Sequence, residues 1–278
     1  MKGRYLILLC SLVSLLLAVN AAAQYSHIKD ISGTDHNLST SGTGTIVSTG
    51  EKEICYFCHA PHQSLNTSDS SVTTGPAGQE PLWNHYLSSK ATYGVYSSTS
   101  FNALGTDITD LGAATAGTAA VSNLCLSCHD GTVGVNTLYH GQFGVGSPAM
   151  NGCANGNQPA NSPCYMLDGA IVGGTTVTGT ASLANLHPIN FTYDATLAGK
   201  TVDLVTPVAN SSGIGGSARM GIPGSVSGTF LPLFQTPGGA TFKMQCPTCH
   251  DVHSNRNGRP FLRDTTTGSA LCLDCHGN

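Results

Sequence analysis

The sequence predicts a chain that is mostly coil, with short α-helices and few short strands, one of them around residues 175–178. Charged residues make up 9% of the 278 residues, against about a quarter in typical soluble domains, and 34 residues are glycine. Long connecting stretches are rich in Gly, Ser, Thr and Ala, which is typical of loops. Disorder is disfavoured, because the net charge of −4 is modest and Val, Ile, Leu and Tyr recur in these stretches.

The remaining observation is a C-x-x-C-H motif that occurs four times. Positions i, i+3 and i+4 share one face of a helical turn, so each motif predicts a short helix with two thiols and an imidazole on one side. This is the attachment signature of c-type haem, in which the thiols form thioethers and the His becomes the proximal iron ligand. Structural zinc sites also use C-x2-C pairs, but zinc does not require a His directly after the second Cys. In chain order, the motifs contain Cys55, Cys58 and His59; Cys125, Cys128 and His129; Cys246, Cys249 and His250; and Cys272, Cys275 and His276.

We therefore expect four covalently bound haem c groups, which would supply the apolar core that this coil-rich chain lacks. Local signals support the motif helices. Ser48 and Glu51 have the spacing of a capping box before the first motif. Ser122 and Ser269 each stand three residues before a motif, as a helix cap would, and Pro247 suits a first helical turn.

The beginning of the sequence predicts export. Lys2 and Arg4 are followed by an apolar stretch over residues 6–17 and a small-residue cleavage site, which together predict a cleaved signal peptide over residues 1–23. Residues 24–278 are then a single domain, secreted to the extracellular space or cell surface with the periplasm in transit. They contain no further hydrophobic stretch long enough to span a bilayer.

Two cysteines lie outside the motifs and the signal peptide. Cys153 and Cys164 occupy a loop rich in Gly, Asn and Pro, in a chain that is expected to reach an oxidising compartment. We predict a structural disulfide between them.

The sixth ligand of each iron decides what the haems can do. Four methionines follow Met1, but the more numerous non-motif histidines can cap every iron with imidazole. Bis-His ligation lowers the reduction potential relative to His/Met ligation and leaves no open coordination site. The favoured ligands are His36, His62, His85, His187 and His253, whereas His27 and His140 are expected to be bystanders.

Several short motifs together carry a family resemblance. They are an early His-Asn-Leu-Ser, Cys-His-Ala-Pro-His, Pro-Leu-Trp-Asn-His, Cys-Leu-Ser-Cys-His-Asp-Gly-Thr, His-Pro-Ile and a terminal pair of C-x-x-C-H motifs. The set resembles the secreted doubled-C-x-x-C-H multihaem cytochromes and, among them, the tetrahaem subunits of extracellular cytochrome filaments. The resemblance spans residues 35–276 and is specific in the haem and ligand motifs, not in the connectors.

The resemblance implies closely stacked bis-His haems and a ligand donated by one subunit to a haem of the next. By the motif match, His62 and His85 serve the first pair of haems, His253 the second pair and His187 one of the central haems. His36 is then supernumerary and is the expected donor to a neighbouring copy. If His36 instead binds within its own chain, one of the other four is spare.

Three classes of function follow. The first is a non-enzymatic conduit that passes electrons to redox partner proteins or to extracellular acceptors such as metal oxides, as a filament of copies of itself. The second is a soluble periplasmic shuttle. The third is an oxyanion reductase, which needs an open haem and a basic funnel, whereas the only local basic cluster is Arg256, Arg259 and Arg263. Nucleic acid is excluded as a partner, because a basic surface is absent.

Overall fold

The computed structural model describes residues 31–60, 82–87, 93–103, 121–139, 147–167, 183–200, 202–210, 219–224, 229–235, 241–254 and 261–277. The predicted signal peptide, His62, the strand expected around residues 175–178, Arg256 and Arg259 lie outside these ranges. Among the described residues, no helix is long and apolar enough to cross a membrane.

The described part of the chain is mostly coil with short helices and short antiparallel strands, so the predicted fold class is confirmed. The α-helices are α1 (Ser122–His129), α2 (Ala195–Ala198), α3 (Cys246–Cys249) and α4 (Ala270–Cys275), and 3₁₀-helices span Ile54–Phe57 and Thr267–Ser269. The strands are β1 (Val47–Ser48), β2 (Met150–Asn151), β3 (Phe191–Thr192), β4 (Val208–Asn210), β5 (Arg219–Pro223), β6 (Phe230–Pro232), β7 (Phe234–Gln235) and β8 (Phe242–Met244).

Three small antiparallel sheets connect distant parts of the chain. Strand β1 pairs with β2, so that Val47 lies opposite Asn151. The other two sheets have the strand orders β3-β8-β7 and β4-β5-β6. Because β8 leads directly into the third motif on α3, the sheet β3-β8-β7 fixes where that motif begins.

Apolar side chains form two larger clusters. One surrounds the first motif and contains Phe57, Met150, Cys153 and Cys164. The other contains Phe191, Ile222, Leu231 and Met244 and reaches Cys275 of the fourth motif. One cluster therefore packs against the first and second motifs, and the other against the third and fourth.

The predicted disulfide is present. Cys153 and Cys164 are bonded, with Cα atoms 5.2 Å apart and a sequence separation of 11. Both are buried in the cluster around the first motif. A crosslink of this loop size stabilises the fold by roughly 3 kcal/mol, mainly through the unfolded chain.

Every motif lies on or directly follows a short helical turn, but the predicted caps are partly wrong. Ser48 accepts the Glu51 backbone N–H at 2.9 Å in a turn, and the helix begins only at Ile54. Ser122 lies inside α1 and does not precede it. Ser269 stands at the N-cap of α4, yet its side chain makes no capping bond, whereas Pro247 is in the first turn of α3 as predicted.

Candidate haem-attachment and ligand sites

The same backbone hydrogen bond closes three of the four motifs. The N–H of the motif His donates to the carbonyl of the first motif Cys at 2.8 Å for His59, 3.1 Å for His250 and 2.9 Å for His276. The second motif lies within α1, which ends at His129. One helical turn thus brings the two thiols and the imidazole of each motif to the same side, as the spacing predicts.

The cysteines of each motif lie near cysteines of the next motif along the chain. Burial raises the pKa of the Cys58 thiol to about 12, and the nearby Cys128 thiol adds to the increase. A hydrogen bond with Cys246, followed by burial, raises the pKa of the Cys125 thiol. Neighbouring motifs therefore lie side by side at the first two junctions.

The junction between the third and fourth motifs follows the same pattern. Burial raises the pKa of the Cys249 thiol to about 11, with contributions from Cys246 and then Cys272. Burial likewise raises the pKa of Cys275 to about 12, and Cys249 is the next cause. The thiols of successive motifs are therefore neighbours at all three junctions.

A buried polar network joins the second motif to the third. The Ser122 hydroxyl donates to the Gln245 side-chain oxygen and accepts the Cys246 N–H at 3.0 Å. The Gln245 amide then donates to the Asn190 side chain at 2.6 Å. Ser122 therefore caps α3, not its own helix, and no sequence spacing indicates this, because the partner lies far along the chain.

Two proximal imidazoles face a second imidazole at a similar distance. The ring centroids of His36 and His129 are 6.0 Å apart with planes inclined at 70°, and those of His59 and His253 are 6.1 Å apart with planes inclined at 19°. An imidazole nitrogen lies about 2 Å from a first-row metal, so two rings on opposite sides of one metal have centroids roughly 6 Å apart. Both pairs fit the axial ligands of a haem iron.

Aromatic side chains flank these pairs. Phe261 stacks on His36 with ring centroids 4.6 Å apart and planes inclined at 9°. Burial and then the His129 imidazole lower the pKa of His36 to about 4, which keeps its ring neutral and able to ligate at neutral pH. Trp83 lies edge-on to His59 at 6.2 Å, and its buried indole N–H has no acceptor among the described residues. That donor is available to a polar group of a haem, such as a propionate.

Two residues hold the segment that carries His253. One Asp251 carboxylate oxygen accepts the His253 backbone N–H at 3.2 Å, and the other accepts from the Arg263 guanidinium at 3.1 Å. Arg263 also donates to the Pro247 carbonyl at 2.8 Å. Arg263 is therefore committed to contacts within the protein.

Two other predicted distal ligands, His85 and His187, contact backbone carbonyls. His85 is fully buried, with Nδ1 2.7 Å from the Tyr86 carbonyl oxygen and Nε2 2.9 Å from the Gly134 carbonyl oxygen. His187 donates from Nδ1 to the Pro188 carbonyl at 2.9 Å. Although much of its side chain is exposed, partial burial of the ring lowers the pKa of His187, with the nearby His276 contributing.

Sequence reasoning missed the supporting residues Phe261, Asp251 and the Ser122 network. Only Asp251 carried a signal, because it stands between His250 and His253 in Cys-His-Asp-Val-His. The others come from parts of the chain with no motif of their own.

Comparison with known proteins identifies one family. The family described as the doubled CXXCH motif matches residues 240–278, which contain the third and fourth motifs. No curated protein matches the chain. The match covers only this part of the chain and supports a c-type cytochrome-like family. Together with the repeated motifs, it indicates a haem-binding multihaem cytochrome, a class compatible with electron transfer.

Proposed function

We propose that this protein conducts electrons through four c-type haems, one on each motif, as the repeating subunit of an extracellular filament. The observation that carries the conduit is that each motif packs against the next: Cys128 packs on the cluster around Phe57, Ser122 binds the Cys246 N–H, and Cys249 and Cys275 share one apolar cluster. Electron transfer rates fall steeply with distance, so neighbouring attachment sites are what a conduit needs.

The haem, when bound, supplies an iron that cycles between the ferric and ferrous states. The chain's own residues do the rest. Each motif His would hold one iron, and His36 and His253, which lie beside His129 and His59, would hold two of these irons from the other side and leave no position there for a substrate. The Ser122 network and the apolar clusters hold neighbouring attachment sites together.

Haem stoichiometry and spin state test the conduit. We expect four haems per chain by intact mass and pyridine haemochrome assay, and six-coordinate low-spin spectra for all of them. A Cys275→Ser variant should weaken attachment of the fourth haem selectively. A five-coordinate haem in the wild-type protein that binds nitrite or sulfite would contradict the conduit and favour an oxyanion reductase.

Assembly is a separate part of the proposal. A head-to-tail contact whose rotation does not close generates an open helical filament. The resemblance to filament subunits supports such a contact, and the predicted signal peptide supports secretion, with other copies and extracellular acceptors such as metal oxides as partners. Electron microscopy of the secreted, haem-loaded protein should show ordered filaments, whereas monodisperse particles at all concentrations would indicate a soluble periplasmic shuttle.

A further inference from the structure

We infer that His36 and His253 are axial ligands within their own chain. His36 binds the iron of the second motif opposite His129, and His253 binds the iron of the first motif opposite His59. The inference rests on the proposed function and specifies its ligand sites. It replaces the donation of His36 to a neighbouring copy that the resemblance implied.

The surroundings of His36 fix its ring inside the protein. The neighbouring Asn37 is fully buried, and its side chain donates to the Ser32 carbonyl at 2.8 Å. The next residue, Leu38, accepts the Ser48 backbone N–H at 2.8 Å, which ties this turn to β1. Phe261 covers one face of the His36 ring at 4.6 Å. A ligand intended for another copy would point outwards, whereas this ring faces His129 of the same chain.

The second pair joins the first motif to the third. His253 follows the third motif closely, and Asp251 and Arg263 fix its backbone and the start of its segment. Its ring nevertheless lies 6.1 Å from that of His59 in the first motif. When both rings bind one iron, that iron crosslinks two haem peptides that are far apart in sequence.

His85 is the spare histidine in this arrangement. Both of its ring nitrogens lie within hydrogen-bond distance of backbone carbonyls, and no part of the residue is exposed. Ligation requires a nitrogen with a free lone pair facing the metal. Because one ring nitrogen donates to a carbonyl and the other is enclosed by a second carbonyl, we place His85 among the packing residues, which leaves four of the five favoured histidines for four irons.

The two pairs differ in the angle between their ring planes. When both rings of a pair bind one ferric iron, this angle gives each pair a distinct electron paramagnetic resonance (EPR) spectrum. Nearly parallel imidazole planes split the two iron orbitals that interact with the rings and give a rhombic low-spin ferric signal. Steeply inclined planes leave those orbitals almost degenerate and give a highly anisotropic signal. At 70°, the His36/His129 pair belongs to the second kind, and at 19°, the His59/His253 pair belongs to the first.

The experiment uses ferric, haem-loaded protein that gel filtration shows to be monomeric. His36→Ala should keep four haems by intact mass. Its EPR spectrum should lose one highly anisotropic signal, and one haem in four should become high-spin. His253→Ala should lose one rhombic signal, and the double variant should show both losses. Added free imidazole should restore the low-spin state in each variant, which excludes simple misfolding.

His85→Gln is the matched control and should leave all four haems low-spin. If an alanine variant does not fold, His36→Met tests the same position, because a Met ligand keeps the haem six-coordinate and raises its potential. A monomeric His36→Ala variant whose spin states equal those of monomeric wild type would overturn the inference and make His36 a donor to another copy. A wild-type protein with fewer than four haems, or with a high-spin haem that persists at concentrations where copies associate, would instead refute the proposed function.

Discussion

Replacing Ser122 with Ala is expected to loosen the junction between the second and third motifs. The Ser122 hydroxyl is fully buried, donates to Gln245 and accepts the Cys246 N–H at 3.0 Å. The variant leaves the first N–H of α3 without this acceptor, whereas the Gln245 side chain keeps the Thr248 backbone N–H as a partner. A buried polar group left unpaired costs about 1–3 kcal/mol, so we expect the free energy of unfolding to fall by about 2 kcal/mol.

Thermal unfolding of the haem-loaded protein, followed by circular dichroism in the Soret region, measures this loss. For a chain of this length, 1 kcal/mol corresponds to about 2–4 °C, so Tm should fall by about 6 °C. Ser127→Ala is the matched control, because Ser127 is also fully buried in α1, where it donates to the Leu124 carbonyl at 2.6 Å and contacts the Cys128 thiol within its own motif. Its loss should cost about 1 kcal/mol. Equal Tm shifts in the two variants would refute the role of Ser122 as a cap for α3.

Three further predictions concern the support of the sites. The double variant Cys153→Ser and Cys164→Ser should lose roughly 3 kcal/mol of stability by chemical denaturation while keeping its haem count, and an unchanged midpoint would show that the disulfide does not constrain the fold. Gly152→Ala should cost at least about 1–2 kcal/mol, because Gly152 has φ +77° and an added Cβ would meet the Thr45 carbonyl; a neutral result by the same assay would contradict that geometry. Arg263→Ala should free Asp251 and raise the high-spin fraction of the first haem on warming, whereas Arg263→Lys should keep part of the contact. If the ratio of high-spin to low-spin absorbance equals that of wild type at every temperature, His253 needs no such support.

The local chemistry of the motifs followed from the sequence. Two thiols and an imidazole at positions i, i+3 and i+4 share one side of a helical turn whatever the rest of the chain does, and the hydrogen bonds at His59, His250 and His276 have this local form. The coil-rich fold was also predictable, because composition alone limits regular structure. The bond between Cys153 and Cys164 followed from counting cysteines and from the predicted compartment.

The helix caps show where sequence spacing is insufficient. Ser122 has the spacing of a cap for the second motif, yet its hydroxyl binds the start of α3. A serine side chain takes whichever backbone donor lies nearest, and tertiary packing decides which donor that is. Ser48 binds a backbone N–H in a turn before the first helix, and Ser269 occupies the N-cap position of α4 without a side-chain cap bond, because the backbone around each follows a turn that its own sequence did not reveal.

The sequence by itself determined which residues can hold haem, because attachment depends on neighbouring positions in one turn. Only the tertiary structure decided which imidazole lies beside which motif His. His36 and His129, like His59 and His253, are distant in sequence and come together at 6.0 and 6.1 Å through turns, small sheets and buried polar contacts elsewhere in the chain. The sequence around a histidine does not reveal its role, which depends on whether its ring lies beside a motif imidazole, as in His36, or between two backbone carbonyls, as in His85.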